Sequence, residues 1–157
     1  MPSYDYHGIL NAAASEVLET MFFTVVFGER PDPVSGTDEG CPAPPLVVAR
    51  LYFLGQPSGD FCVALTEPAA RTIAGNFLGA EDASELAPAS VAEVVCELAN
   101  ILCGAVLSRV DNLANFKLCH PELISSMDLL TLESATAGAT YDLGDGLLRV
   151  RLRFAAP

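Results

Sequence analysis

Basic residues are scarce: the 157 residues hold eight Lys and Arg against twenty Asp and Glu, a formal charge of −12 at pH 7. A phosphate backbone or an anionic membrane is gripped by clustered cations, so this shortage excludes nucleic acid and acidic lipid as the main partner. Histidine is rarer still. His7 and His120 are the only two, and without regularly spaced thiolates or acids beside them a zinc site is not expected. The five cysteines are odd in number, no two form a C-x-x-C pair, and four lie in apolar segments. They read as small buried hydrophobes of a reducing compartment, not as a disulfide framework.

Whole classes of chemistry drop out with the missing motifs. The chain has no glycine-rich phosphate loop of either common type, no G-x-S-x-G and no H-E-x-x-H. That removes nucleotide hydrolysis by a P-loop, ordinary esterases and zincin proteases. No apolar run approaches the roughly eighteen uninterrupted residues of a membrane span, and the start MPSYDYHG lacks a basic region followed by a greasy one. The expectation is a soluble, cytoplasmic protein of one domain spanning residues 1–157, long enough to bury a core without staples.

Half the residues are apolar, and they are patterned. Residues 9–23, ILNAAASEVLETMFF, place Leu10, Ala13, Ala14, Val17, Leu18 and Met21 at helical spacing, which predicts a first amphipathic helix running into a short strand at residues 24–27. Residues 28–45, GERPDPVSGTDEGCPAPP, are rich in Pro, Gly and acids and read as a mobile loop. LVVARLYFL and DFCVAL, joined by GQPSG, predict a β-hairpin. Pro68 opens a helix that ends near Leu78 and stops at Gly79. After a long apolar helix the period changes to two, predicting strands near residues 115–119, 127–133, 137–143 and 147–154. In the last, Leu148, Val150, Leu152 and Phe154 face one way and Arg149, Arg151 and Arg153 the other. Such an arginine row serves as an edge guard, a solvated face or a receiver for an acidic partner. Helix, hairpin, helices and an antiparallel meander make an α+β domain, with helices packed on a mostly antiparallel sheet.

Residues 93–108, EVVCELANILCGAVLS, are the part that invites chemistry. At about 100° per residue, Glu93, Glu97, Asn100 and Gly104 fall within a sector of roughly 60° on a helix that is otherwise almost wholly apolar. Glu93 has a structural explanation, because Ser90-Val91-Ala92-Glu93 reads as a capping box. Glu97 and Asn100 lie too deep for capping, and Asn is a mediocre helix former. At i and i+3 a carboxylate can pair with a cation or take a proton, while an amide holds a water by donor and acceptor at once. Gly104 costs about 1 kcal/mol relative to alanine, and its missing side chain would admit another chain. A plain solvated face competes with these readings, since helix stripes are commonly just wet. Cys96 and Cys103 flank the stripe with no base in reach of a sequence argument.

With its acid at 93, the ELANILCG of residues 97–104 resembles the signature of the CheC and CheX family of chemotaxis phosphatases, an acid or serine, then E-x-x-N, then a glycine four residues on. The likeness covers most of the chain: EVLETMFF in the first helix, the hairpin before the second helix, the pair His120-Pro121 and the closing strand. In the first helix the comparable residues are Glu16-Val17-Leu18-Glu19, with no asparagine, so the chain resembles the single-site CheX type. Glu93 departs from the family's more frequent aspartate or serine.

The resemblance implies a protein phosphatase that strips the phosphoryl group from the aspartate of a CheY-like response regulator. On that analogy Asn100 orients the attacking water and Glu97 pairs with the lysine beside the regulator's phosphate, with Glu93 and Gly104 touching the partner. It further implies that Mg²⁺ comes from the regulator, that this chain binds no cofactor, and that the protein is a homodimer joined edge to edge through its sheets. Two other classes stay open. One is a module of the same fold that binds a receiver without turnover. The other is a small-molecule hydrolase with Glu97 as general base, which requires apolar walls around the stripe instead of an open ridge.

Overall fold

A computed structural model of the chain describes residues 5–30, 46–110, 116–125 and 137–155. Asp5 begins it: its carboxylate accepts the amide of Gly8 at 3.0 Å, capping α1, Tyr6–Met21. The expected strand at residues 24–27 does not form. Those residues belong to no strand ladder, and the strand is β1, Gly28–Arg30, where the chain pairs with β6, Ala137–Asp142. The expected loop at residues 28–45 therefore starts with a strand, and its remainder lies outside the described residues.

The hairpin is as expected, with β2 at Leu46–Leu54 and β3 at Gly59–Thr66. Helix α2, Glu67–Leu78, carries Pro68 in its first turn and closes at Gly79, whose φ of 68° is the left-handed cap that glycine takes without steric cost. A short 3₁₀ turn, Ala83–Glu85, leads into α3, Pro88–Val110. Here the capping box fails. The helix begins at Pro88, and the Ala87 carbonyl accepts the amides of Ser90 and Val91 at 3.0 and 3.2 Å, so Ser90 is already inside the first turn. Proline suits that opening position because its missing N–H has no helical partner there. Glu93 is thus more than a turn inside the helix and caps nothing.

Short strands β4, Lys117–Leu118, and β5, Glu122–Ile124, follow, then β6, Ala137–Asp142, and β7, Leu147–Phe154. The strand expected at residues 127–133 lies outside the described residues. All pairings are antiparallel in the order β1-β6-β7-β3-β2-β4, with β5 also on β2. The fold is α+β, with the helices on one sheet face. That face contributes Ala49, Leu51, Phe53, Phe61, Val63, Leu65, Leu148, Val150 and Leu152 to the core, against Leu18, Ile73, Leu98 and Leu102 of the helices. β7 lies between β6 and β3, so its arginines guard no edge. They line the second face, where Arg153 and Asp60 form a two-pronged ion pair at 2.9 Å through each prong.

Candidate functional site

Helix α3 is held nearly all round. Val91, Val94, Val95, Leu98, Ala99, Leu102, Cys103, Val106, Leu107 and Val110 are buried, against α1, α2 and strands β2 and β3. By length and composition alone it could cross a membrane, yet half of its most apolar window is buried within the fold. Burying this many large side chains, at roughly 1.5–3 kcal/mol for each, pins the helix axis and its rotation. Whatever projects from the open side is accordingly fixed in direction.

That open side is the predicted stripe. Glu93 and Glu97 are exposed, while Asn100 and Gly104 are half-buried one and two turns further along. All four predicted residues come together on one face, one above another at the i, i+3 and i, i+4 steps of a helix. Among the described residues, the side chains of Glu97 and Asn100 find no hydrogen-bonding neighbour, so both keep their donors and acceptors available. An exposed Glu97 also lacks the apolar surroundings that would make it a general base for an enclosed small substrate.

Gly104 is not required by packing. Among the described residues, a Cβ built there would meet only the Leu118 Cδ2 of β4, at 4.0 Å, an ordinary contact. The space above residue 104 is bordered, among the described residues, by Leu118 and the half-buried Ile101 and Ala105. The two cysteines that flank the stripe are inert by environment. Burial pushes the Cys103 thiol up to about 12, and burial followed by the Glu97 carboxylate raises that of Cys96. No three His, Cys, Asp or Glu side chains converge as a metal set would, among the described residues.

Sequence reasoning missed Arg109, in the last turn of α3. Its guanidinium donates to the Ala105 carbonyl at 3.0 Å and to the Glu16 carboxylate of α1, an exposed link between the two helices. An arginine in a last helical turn is a readable signal, because it suits the negative helix end. Its partner, ninety-three residues away, is not.

The family description "Chemotaxis phosphatase CheX" matches residues 47–143, which include all of α3. Among solved structures, the chemotaxis protein CheX of Vibrio vulnificus is 17% identical with a TM-score of 0.72, covering 99% of this chain and 100% of that one. A CheX–CheY–BeF3–Mg complex from Borrelia burgdorferi matches at 16% identity and a TM-score of 0.69, covering 98% and 100%. A CheC-like superfamily protein from Shewanella matches at 17% and 0.67, covering 99% and 100%. At these identities the structures show a shared fold. No curated protein matches the chain.

Proposed function

The chain belongs to the CheX family of chemotaxis phosphatases, and from that premise we propose that it removes the phosphoryl group from the aspartate of a CheY-like response regulator. The observation that carries this reading is the pairing of Glu97 and Asn100 on the one open strip of a helix otherwise fixed by burial. An aspartyl phosphate is already an activated leaving group. What its hydrolysis needs is a water held in line with the departing carboxylate, and holding it is a matter of placement.

Asn100 suits that task. Its carboxamide offers a donor and an acceptor together, so it can hold a water in one orientation, and among the described residues it has no partner to give up. Glu97, one turn earlier and exposed, would pair with the cation that a regulator sets beside its phosphate, a charge-assisted bond that both anchors and orients. Glu93, freed from any capping role, extends the acidic edge of the contact. Gly104 leaves room for the regulator's backbone to come close. The Mg²⁺ named with the Borrelia complex would arrive with the regulator; this chain's part is to bind and to orient. The working protein is proposed to be a homodimer, which sedimentation equilibrium checks.

The test is the rate of phosphate loss from a panel of phosphorylated receiver domains of the same genome, with and without this protein. Acceleration for at least one receiver is expected. If none loses phosphate faster while one still binds, the stripe is a docking surface without catalysis and the proposal fails.

A further inference from the structure

Apolar side chains that face solvent are unevenly spread. Of nine large exposed hydrophobics among the described residues, six belong to one locus: Met21, Phe23, Val25 and Phe27 on the run that leaves α1, and Phe77 and Leu78 at the end of α2. The two stretches are tied together. The Asn76 amide donates to the Phe23 carbonyl at 3.3 Å and to the Thr24 hydroxyl at 3.2 Å, and the Phe22 and Phe77 rings stack at 5.0 Å. Thr24 is buried while Phe23, Val25 and Phe27 point outward at 70, 57 and 70% exposure, an aromatic and aliphatic ladder. Phe27 reaches over Gly144 of the β6–β7 turn, where any Cβ would sit 2.9 Å from its ring.

The ends of the two helices make the anomaly plain. Helix α2 closes through a left-handed residue that is a glycine, Gly79 at φ 68°. Helix α1 is capped by Phe22, at φ −118°, and the left-handed residue that follows is Phe23, at φ 52°. That conformation is free of steric cost for glycine and costly for a phenylalanine. The ring recovers almost nothing, since most of it lies in water. A bulky residue held in a strained conformation with its side chain outside the fold points to function.

The surroundings select the partner. Neither α1 nor α2 has a basic residue in its last turn, so the negative ends of both helix dipoles meet at the patch uncompensated. Glu19 and Glu81 flank it in the chain, within a molecule of net charge −12. An anionic membrane brings charge of the wrong sign, and a second copy seated on this patch would set the same two negative helix ends against each other. We propose that the patch is a docking site for a basic amphipathic segment of another protein, whose apolar side chains cover the Phe23–Val25–Phe27 ladder while its cations face the two helix ends.

The test uses the full chain and two synthetic helical peptides with leucines on one face and either lysine or glutamate on the other. The lysine peptide is expected to bind, more weakly as salt rises, and the glutamate peptide not to bind. Phe23→Gly supplies the residue that the backbone prefers, so its melting temperature should hold or rise while affinity for the lysine peptide falls at least about tenfold. Leu123→Ser, removing an exposed leucine elsewhere, should leave affinity unchanged. Equal binding by Phe23→Gly, equal binding of both peptides, or binding of neither overturns the proposal. So does self-association that Phe23→Gly dissolves, because a second copy would then own the patch.

Discussion

Helices α1 and α3 pack side by side, and each presents an acid followed three residues later by a second polar group: Glu16 and Glu19 on one, Glu97 and Asn100 on the other. In α1 the first of these acids is taken up by the fold, while Glu19 stays exposed. Arg109 takes Glu16, and the helix's one asparagine, Asn11, accepts the hydroxyl of the buried Tyr141 at 2.7 Å. In α3 nothing within the described residues reaches Glu97 or Asn100. Residue type and spacing are nearly the same in both helices. What separates a structural contact from a site is whether a neighbouring element delivers a partner, and an unclaimed carboxylate beside an unclaimed amide is the arrangement left for another protein.

That contrast can be broken at several points. The largest effect is expected from reversing the sign on α3: Glu97→Lys should weaken binding to the matched regulator about 100-fold by setting like charges together, with the melting temperature unchanged. Binding by calorimetry at low and physiological salt checks it. A smaller effect follows from filling the notch. Gly104→Ala should raise stability by up to about 1 kcal/mol through helix propensity, yet weaken the regulator complex about fivefold through one misplaced methyl. Thermal melting and binding should therefore move in opposite senses. Smallest is the effect on the α1 side, where Glu16→Gln should cost about 0.5 kcal/mol or less, because the Arg109 pair is 62% exposed at its carboxylate. Dephosphorylation rates for that variant should match the wild type; a loss of rate would mean that α1 contributes to the site.

Much of this architecture could be read in advance where one period dominates. The hairpin, α2 with its Pro68 start and Gly79 stop, and the alternation of β7 all follow local rules that tertiary structure did not override. Residues 24–27 misled because TVVF has the β-branched and aromatic character of a strand, although Val25 and Phe27 face outward and the Thr24 hydroxyl is held by Asn76; the ladder with β6 begins at Gly28, just after the Phe27 amide bonds the Asp142 carbonyl. The capping box misled for a different reason. The motif was present, but Pro88 two residues earlier had already opened the helix. For the site, helical geometry was enough to bring Glu93, Glu97, Asn100 and Gly104 onto one face. That this face is the open one depended on α1, α2 and the sheet covering every other side, and no spacing along α3 encodes it.

The central claim is that Asn100 holds the attacking water. The direct measurement is the rate of phosphate loss from the matched regulator in the presence of Asn100→Ala, with binding measured on the same samples. Binding kept at the wild-type level, with the acceleration reduced about 100-fold or more, is the predicted result. Acceleration retained by Asn100→Ala would contradict it and move the chemistry elsewhere on the molecule.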